Sequence, residues 1–265
     1  MSFATNENQQ ISLYDPSFFL TDRERRMLEK SWAVPFGELV FPAIDEKPFA
    51  VLYSSKVSRP NTPVNVLVGA LILKELLGGT DDELVESLVF DIRYQVALHT
   101  TSFKEQPLSD RSLSRFRARN TAYEEKTGTD LLYECVCSLK EEIAKVQERC
   151  QGLKKLDALT IALNIKNLSR LELLYSCTAN LAEKIAASSP KLLPEELLRY
   201  CDGEEKKRMI DRGRSEKTRG RIRKVTEDAR EILALCAGDY DDTSEYHLLL
   251  RIIKEQEAAS QREEP

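Results

Sequence analysis

Between Pro63 and Gly78 the chain reads VNVLVGALILKELL, a stretch with so little polar surface that a fold has to wrap it on nearly every side. Pro60 and Pro63 keep a helix from starting earlier, because proline fixes φ, lacks an amide hydrogen and pushes the residue before it toward extended backbone. From there Val66, Leu67, Ala70, Leu71, Leu73, Lys74 and Leu77 recur at three- and four-residue spacing, and Val68 and Ile72 widen the stripe. That pattern predicts a central, buried helix. Gly78 and Gly79 end it. Thr80, with Glu83 three positions on, has the form of a capping box, so a second helix carrying Leu84, Val85, Leu88 and Val89 follows a tight turn. Two helices joined by a glycine turn form the helix-turn-helix pattern.

A third helix is expected after a cap at Ser109 or Asp110. Leu113 and Phe116 face inward in this reading, while Arg111, Arg115, Arg117 and Arg119 lie outside and Ser112 and Ser114 add hydroxyls. Such a face suits phosphate oxygens, and guanidinium groups also read guanine edges in a major groove. A solvated helix with scattered arginines fits the same pattern. A second basic run extends from Lys206 to Lys224 and includes Arg219, Arg221 and Arg223, but acidic residues flank it on both sides. A phosphate track and a helix of intrahelical ion pairs therefore both fit. The net charge of −5 excludes a surface that is cationic throughout, so any affinity for nucleic acid rests on local patches.

The segments FAVLYSSKVSRPNTPVNVLVGALILKELLGGTDDELVESL, LSDRSLSRFRAR and KKLDALTIALNIKNLSRLELLYS resemble the N-terminal half of large bacterial insertion-sequence transposases of the DDE type. Those proteins begin with an InsH-type helical domain, and the resemblance runs from about Leu20 to the DDTSEYHLLLRIIKEQ ending. It implies a DNA-binding region followed by an RNase H-like core whose first strand ends in an aspartate. Asp157 stands in that place, with Ala158 where family members usually carry serine. Read from the residues alone, Leu153 to Ala158 fits an edge strand or a loop equally, and a lone aspartate is ordinarily a cap or a surface charge. Magnesium is implied for the complete family enzyme, and Asp157 would be a metal ligand only with partners. DNA strand transfer of this kind places several carboxylates around two divalent ions, and one carboxylate cannot hold them. The resemblance puts the second aspartate and the glutamate beyond Pro265, so the expected object is a truncated or split transposase needing no cofactor by itself.

The rest of the chain reads as helices. One is expected from Thr129 to Cys150, another after Ser169 with Glu172 completing a capping box and Leu171, Leu174, Thr178, Leu181 and Ile185 inward. A short helix follows Pro194, a longer one covers Ser215 to Ala237, and the last begins after Asp242 or Thr243. The six cysteines lack metal-ligand spacing and read as buried free thiols, His99 as a packing residue, and Trp32 as an anchor for the N-terminal arm.

The expected architecture is mainly α: a helical bundle with a helix-turn-helix-like unit and at most a short strand. Its expected divisions are an arm over 1–58, a helical DNA-binding domain over 59–126, and a helical region over 127–265 that holds the start of the incomplete core. The expected partners are double-stranded DNA at insertion-sequence ends, and a second copy or the remainder of a transposase. No apolar run has membrane-spanning length and the start lacks a cationic, hydrophobic leader, which points to the cytoplasm. A noncatalytic protein that associates with a full-length transposase and regulates it is the alternative expectation.

Overall fold

The computed structural model describes residues 1–6, 16–56, 59–100, 108–189 and 191–263. Every regular element among them is a helix or a helical turn; the only β contacts are isolated bridges of Ser2 with Ser54 and Pro60. The protein is mainly α, as the hydrophobic periodicity requires. It divides into two compact units, Met1–Lys166 and Asn167–Pro265, so the stretches 1–58 and 59–126 lie in one unit.

In the first unit, α1 (Asp22–Glu29) opens on a capping box in which Thr21 and Glu24 serve each other's backbone amides. The single turn α2 (Ala33–Pro35) and the turns Phe36–Val40 and Phe41–Ala43 lead toward α3 (Val64–Leu77). Trp32 is buried and meets Tyr94 edge to face at 5.1 Å, the anchoring role expected of it. Helix α3 is buried from Val64 to Leu76, and no face of it is left for water. Its N-cap residue, Pro63, offers no side-chain cap, and of the first backbone amides the Asn65 side chain accepts only that of Val66, at 2.8 Å. Instead the buried Glu46 carboxylate accepts the amides of Val64 at 2.9 Å and Asn65 at 3.2 Å, while its second oxygen accepts the Asn6 amide at 2.8 Å. The helix stops at Gly78, whose φ of 73° is left-handed and whose amide returns to the Lys74 carbonyl.

Helix α4 (Asp81–Phe90) starts with the Thr80 and Glu83 capping box, at 2.9 and 3.1 Å. Asp91 caps α5 (Ile92–Ala97) through the Arg93 amide. His99 follows at a φ of 52°, with Nε2 3.0 Å from the Gly37 carbonyl and its ring against Phe41, so it packs. Then come α6 (Asp110–Thr127), α7 (Leu131–Ser138) and α8 (Lys140–Arg149). The single helix expected over 129–150 is interrupted at Leu139. There the Ser138 hydroxyl bonds the Cys135 carbonyl at 2.7 Å and the Leu139 amide returns only to Val136, which tightens the turn.

The second correction concerns α9 (Ala158–Ser188). It runs unbroken for 31 residues, so Ser169 is a buried mid-helix residue and caps nothing. The expected inward face is right: Leu171, Leu174, Thr178, Leu181 and Ile185 are all fully buried. No proline or glycine interrupts the helix, and its cap lies twelve residues earlier, at Asp157.

In the second unit the rest of α9 is accompanied by a turn over Glu195–Cys201, α10 (Gly203–Met209), α11 (Thr218–Leu235) and α12 (Ser244–Glu263). Its core joins Tyr175, Leu181, Leu197, Tyr200, Val225, Ile232 and Leu249. Thr243 caps α12 through the Tyr246 amide, as its position suggests. Cys177 and Cys236 are buried, Cys135, Cys137 and Cys150 are half-buried, and Cys201 is exposed, which corrects the expectation for that thiol. None of the described helices is long and apolar enough to cross a membrane.

Candidate nucleic-acid interface

Helix α6 is held by its inner face. Leu113 and Phe116 are buried, with the Phe116 ring 5.6 Å from that of Phe49. Asn120 is buried too; its amide donates to Asp130 at 2.7 Å and its carbonyl oxygen accepts the Leu132 amide at 3.1 Å, which fixes the end of α6 to the start of α7. Asp130 in turn caps α7 through the Tyr133 amide. Lys166 sits between Glu124 and Asp130, at 2.5 and 3.5 Å.

The outer face carries Arg111 and Arg115, one turn apart and both exposed. Ser112 and Ser114 are half-buried, and the Ser112 hydroxyl lies 3.1 Å from that of Ser109 rather than on a backbone amide. Arg119 completes the row one turn further on. Its guanidinium covers the Tyr53 ring at 5.0 Å and approaches the Met1 sulfur at 3.8 Å, and the residue is half-buried.

Arg117 is not on this face. It is fully buried, and its guanidinium meets Asp81 at 2.6 Å. Asp81 also accepts Lys74 at 3.0 Å, Lys74 lies 3.4 Å from Glu75, and Asn164 donates to Glu75 at 3.1 Å. Two cations and two anions thus neutralise one another out of contact with bulk solvent, and α3, α4 and α6 each contribute to the cluster. Burial alone pushes the Asp81 carboxyl up, but the charges of Arg117 and Lys74 and their hydrogen bonds outweigh it and bring it down to about 2. An arginine at position 117 belongs on the inner side because it comes four residues after buried Leu113 and three before buried Asn120, about 40° and 60° around the helix from them. The signal that reveals the cluster is the Lys74–Glu75 pair: charges inside an otherwise mostly apolar, buried helix need buried counterions, and Asp81 opens the next helix.

Asp157 ends no strand. Residues 154–157 are irregular and Asp157 is the exposed N-cap of α9, accepting the Thr160 amide at 2.7 Å. The Thr160 side chain, and then that backbone hydrogen bond, hold the Asp157 carboxyl pKa below its ordinary value. It borders a cleft of about 590 Å³ whose other charged lining residues are Lys140 and Lys155. Among the described residues no three His, Cys, Asp or Glu side chains converge. Lysines beside a single carboxylate do not fit a pair of divalent ions, so the magnesium site implied by the resemblance finds no ligand set around Asp157.

The basic run of the second unit folds into α10, a turn and the start of α11. Arg219 and Arg223 are exposed and one helical turn apart. Arg221 is not on their face. Its guanidinium donates to the carbonyls of Met209 and Arg214, the latter at 2.6 Å, and to the Thr218 hydroxyl at 3.0 Å. Lys207 and Arg208 pair with Glu204 and Glu205 at 2.7 and 3.5 Å, so the intrahelical ion-pair reading holds for α10. Among the described residues, Lys217, Arg219 and Arg223 have no ion-pair partner.

No curated protein and no solved structure matches the chain. Residues 30–119, from the end of α1 through the arginine row of α6, match the model of a family described as a transposase domain (DUF772), and the similarity is confined to this stretch.

Proposed function

We propose that the protein binds double-stranded DNA at insertion-sequence ends through α6, as the N-terminal portion of a DDE-type transposase, and that it does not cleave DNA by itself. The carrying observation is the row Arg111, Arg115 and Arg119 on the outer face of a helix fixed from within, inside the segment that matches a transposase domain. Ser112 and Ser114 stand beside the row as hydrogen-bond donors. Contacts of this type give affinity through released counterions and orientation through phosphate oxygens, and a guanidinium that reaches a base edge adds sequence preference. Helices α3 and α4 with their Gly78–Gly79 turn supply the helix-turn-helix-like scaffold behind it.

Arg117, buried against Asp81, positions α6 from inside, and Asp157, the first family acid by resemblance, also caps α9. Strand cleavage would need acids in addition to Asp157, and among the described residues no group of three His, Cys, Asp or Glu side chains gathers around it.

The test is a gel shift with element-end and random duplexes over a salt series. Tighter binding to the ends, weakened by Arg111→Gln and Arg115→Gln, is expected; undetectable binding to both duplexes at low salt would defeat the proposal. If these variants leave binding unchanged but disrupt association with a full-length transposase, the regulatory reading replaces it. Metal-dependent nicking abolished by Asp157→Asn would defeat the second half.

A further inference from the structure

The turn between α10 and α11 is built around one side chain. Arg221 projects from the first turns of α11 back across residues 209–218, and its donors bridge the end of α10 (Met209 carbonyl), the middle of the turn (Arg214 carbonyl) and the start of α11 (Thr218 hydroxyl). Ile210 and Thr218, at the two ends of the turn, are buried. Gly213 lies against the guanidinium so closely that a Cβ there would overlap it. The turn therefore has one cation folded into its backbone, and several others, Arg212, Arg214, Lys217 and Arg219, exposed around it.

We infer that this clamped turn is a preformed phosphate-backbone-binding loop, that Lys217 and Arg219 make the contacts, and that Arg221 is a positioning residue which touches no phosphate. The inference rests on the DNA-binding reading but adds a second surface, outside residues 30–119, and changes the role of Arg221. The partner is duplex DNA recognised by its charge rather than its sequence, since the turn offers ammonium and guanidinium groups without a face built to meet base edges. A loop already in place loses less conformational entropy on binding than one that has to be ordered.

Gly213 separates positioning from contact. In Gly213→Ala every charge is retained, and the Cβ drives the Arg221 guanidinium out of its carbonyl cage into solvent. If Arg221 were a contact, this variant would bind DNA as well as the wild type or better. If Arg221 positions the turn, Gly213→Ala behaves like Arg221→Gln.

Full-length protein is titrated with a labelled random-sequence duplex at several salt concentrations, by fluorescence anisotropy. Lys217→Gln and Arg219→Gln are each expected to lower the salt slope by about one. Arg221→Gln, Arg221→Lys and Gly213→Ala are each expected to weaken low-salt binding by roughly tenfold or more, because Lys217 and Arg219 lose their alignment together. Limited trypsin digestion reads the clamp without DNA, because Arg212, Arg214 and Lys217 are cleavage sites: cutting in the turn should accelerate in Arg221→Gln and Gly213→Ala, with other sites unchanged. Wild-type binding by Gly213→Ala overturns the positioning role, and unchanged turn cleavage overturns the clamp. Wild-type protein that binds no duplex overturns the DNA reading of this surface whatever the digestion shows, and preference for single-stranded RNA over duplex reassigns its partner.

Discussion

Arg117 and Arg221 belong to two arginine-rich segments that look alike in sequence, and neither points at solvent as its neighbours do. They differ in what satisfies them. Arg117 is fully buried and uses a carboxylate, Asp81, that is itself buried and shared with Lys74. Arg221 is half-buried and uses neutral carbonyls and a hydroxyl. The difference follows from solvation. In a dry interior a guanidinium needs a full opposite charge, whereas at a surface turn water screens the charge and dipoles suffice to orient it. An arginine run is therefore a mixture of contacts and braces, and helical phase separates the two.

Removing either partner of the dry pair should have the largest effect. Arg117→Met leaves Asp81 with only Lys74, and a loss of about 3–5 kcal/mol is expected in urea unfolding of the full chain. A loss below about 1 kcal/mol would mean that the cluster is wetter than its burial implies. Arg117→Lys should recover part of the loss but not all, because an ammonium cannot reproduce the guanidinium fork.

Acid should weaken the same cluster. The Asp81 carboxyl sits at about 2 in the folded protein against an ordinary 3.8, so its contribution is complete above pH 3.8 and is lost as pH falls from there toward 2. The contribution is on the order of 2 kcal/mol, readable as a pH slope of the unfolding free energy that Asp81→Asn abolishes. An unaltered slope in that variant would assign the acid sensitivity to other carboxylates.

Arg221→Gln should cost less, about 1–2 kcal/mol, since the carbonyls it abandons are reached by water. A loss equal to that of Arg117→Met would erase the distinction between the two arginines. Asp157→Ala should cost about 1 kcal/mol as a lost N-cap, and Asp157→Asn close to nothing because asparagine caps as well. Duplex affinity should not change in either.

Much of the scaffold was legible in the chain. The proline and glycine borders of α3, the Thr80 and Glu83 box, and the inward stripe of α9 depend on local backbone chemistry and on residues within a few positions of one another. The start of α9 was misread because Ser169 and Glu172 also have capping spacing, while the true cap, Asp157, carried a resemblance to a catalytic acid. The row of exposed arginines was legible as a row, and helical phase marks Arg117 as leaving it, but not what receives an arginine that leaves. That was fixed by Asp81 in one unit and by Gly213 in the other.

The sequence by itself determined that the chain is helical, where most helices begin and end, and that cations gather at two places along it, because periodicity, caps and breakers act over a few residues. Tertiary structure alone decided which of those cations face water, what neutralises the ones that do not, and that Glu46 rather than a neighbour caps α3. The partners of Arg117 and of the α3 amides, Asp81 and Glu46, lie many residues away along the chain, and no local pattern records the approach that brings them together.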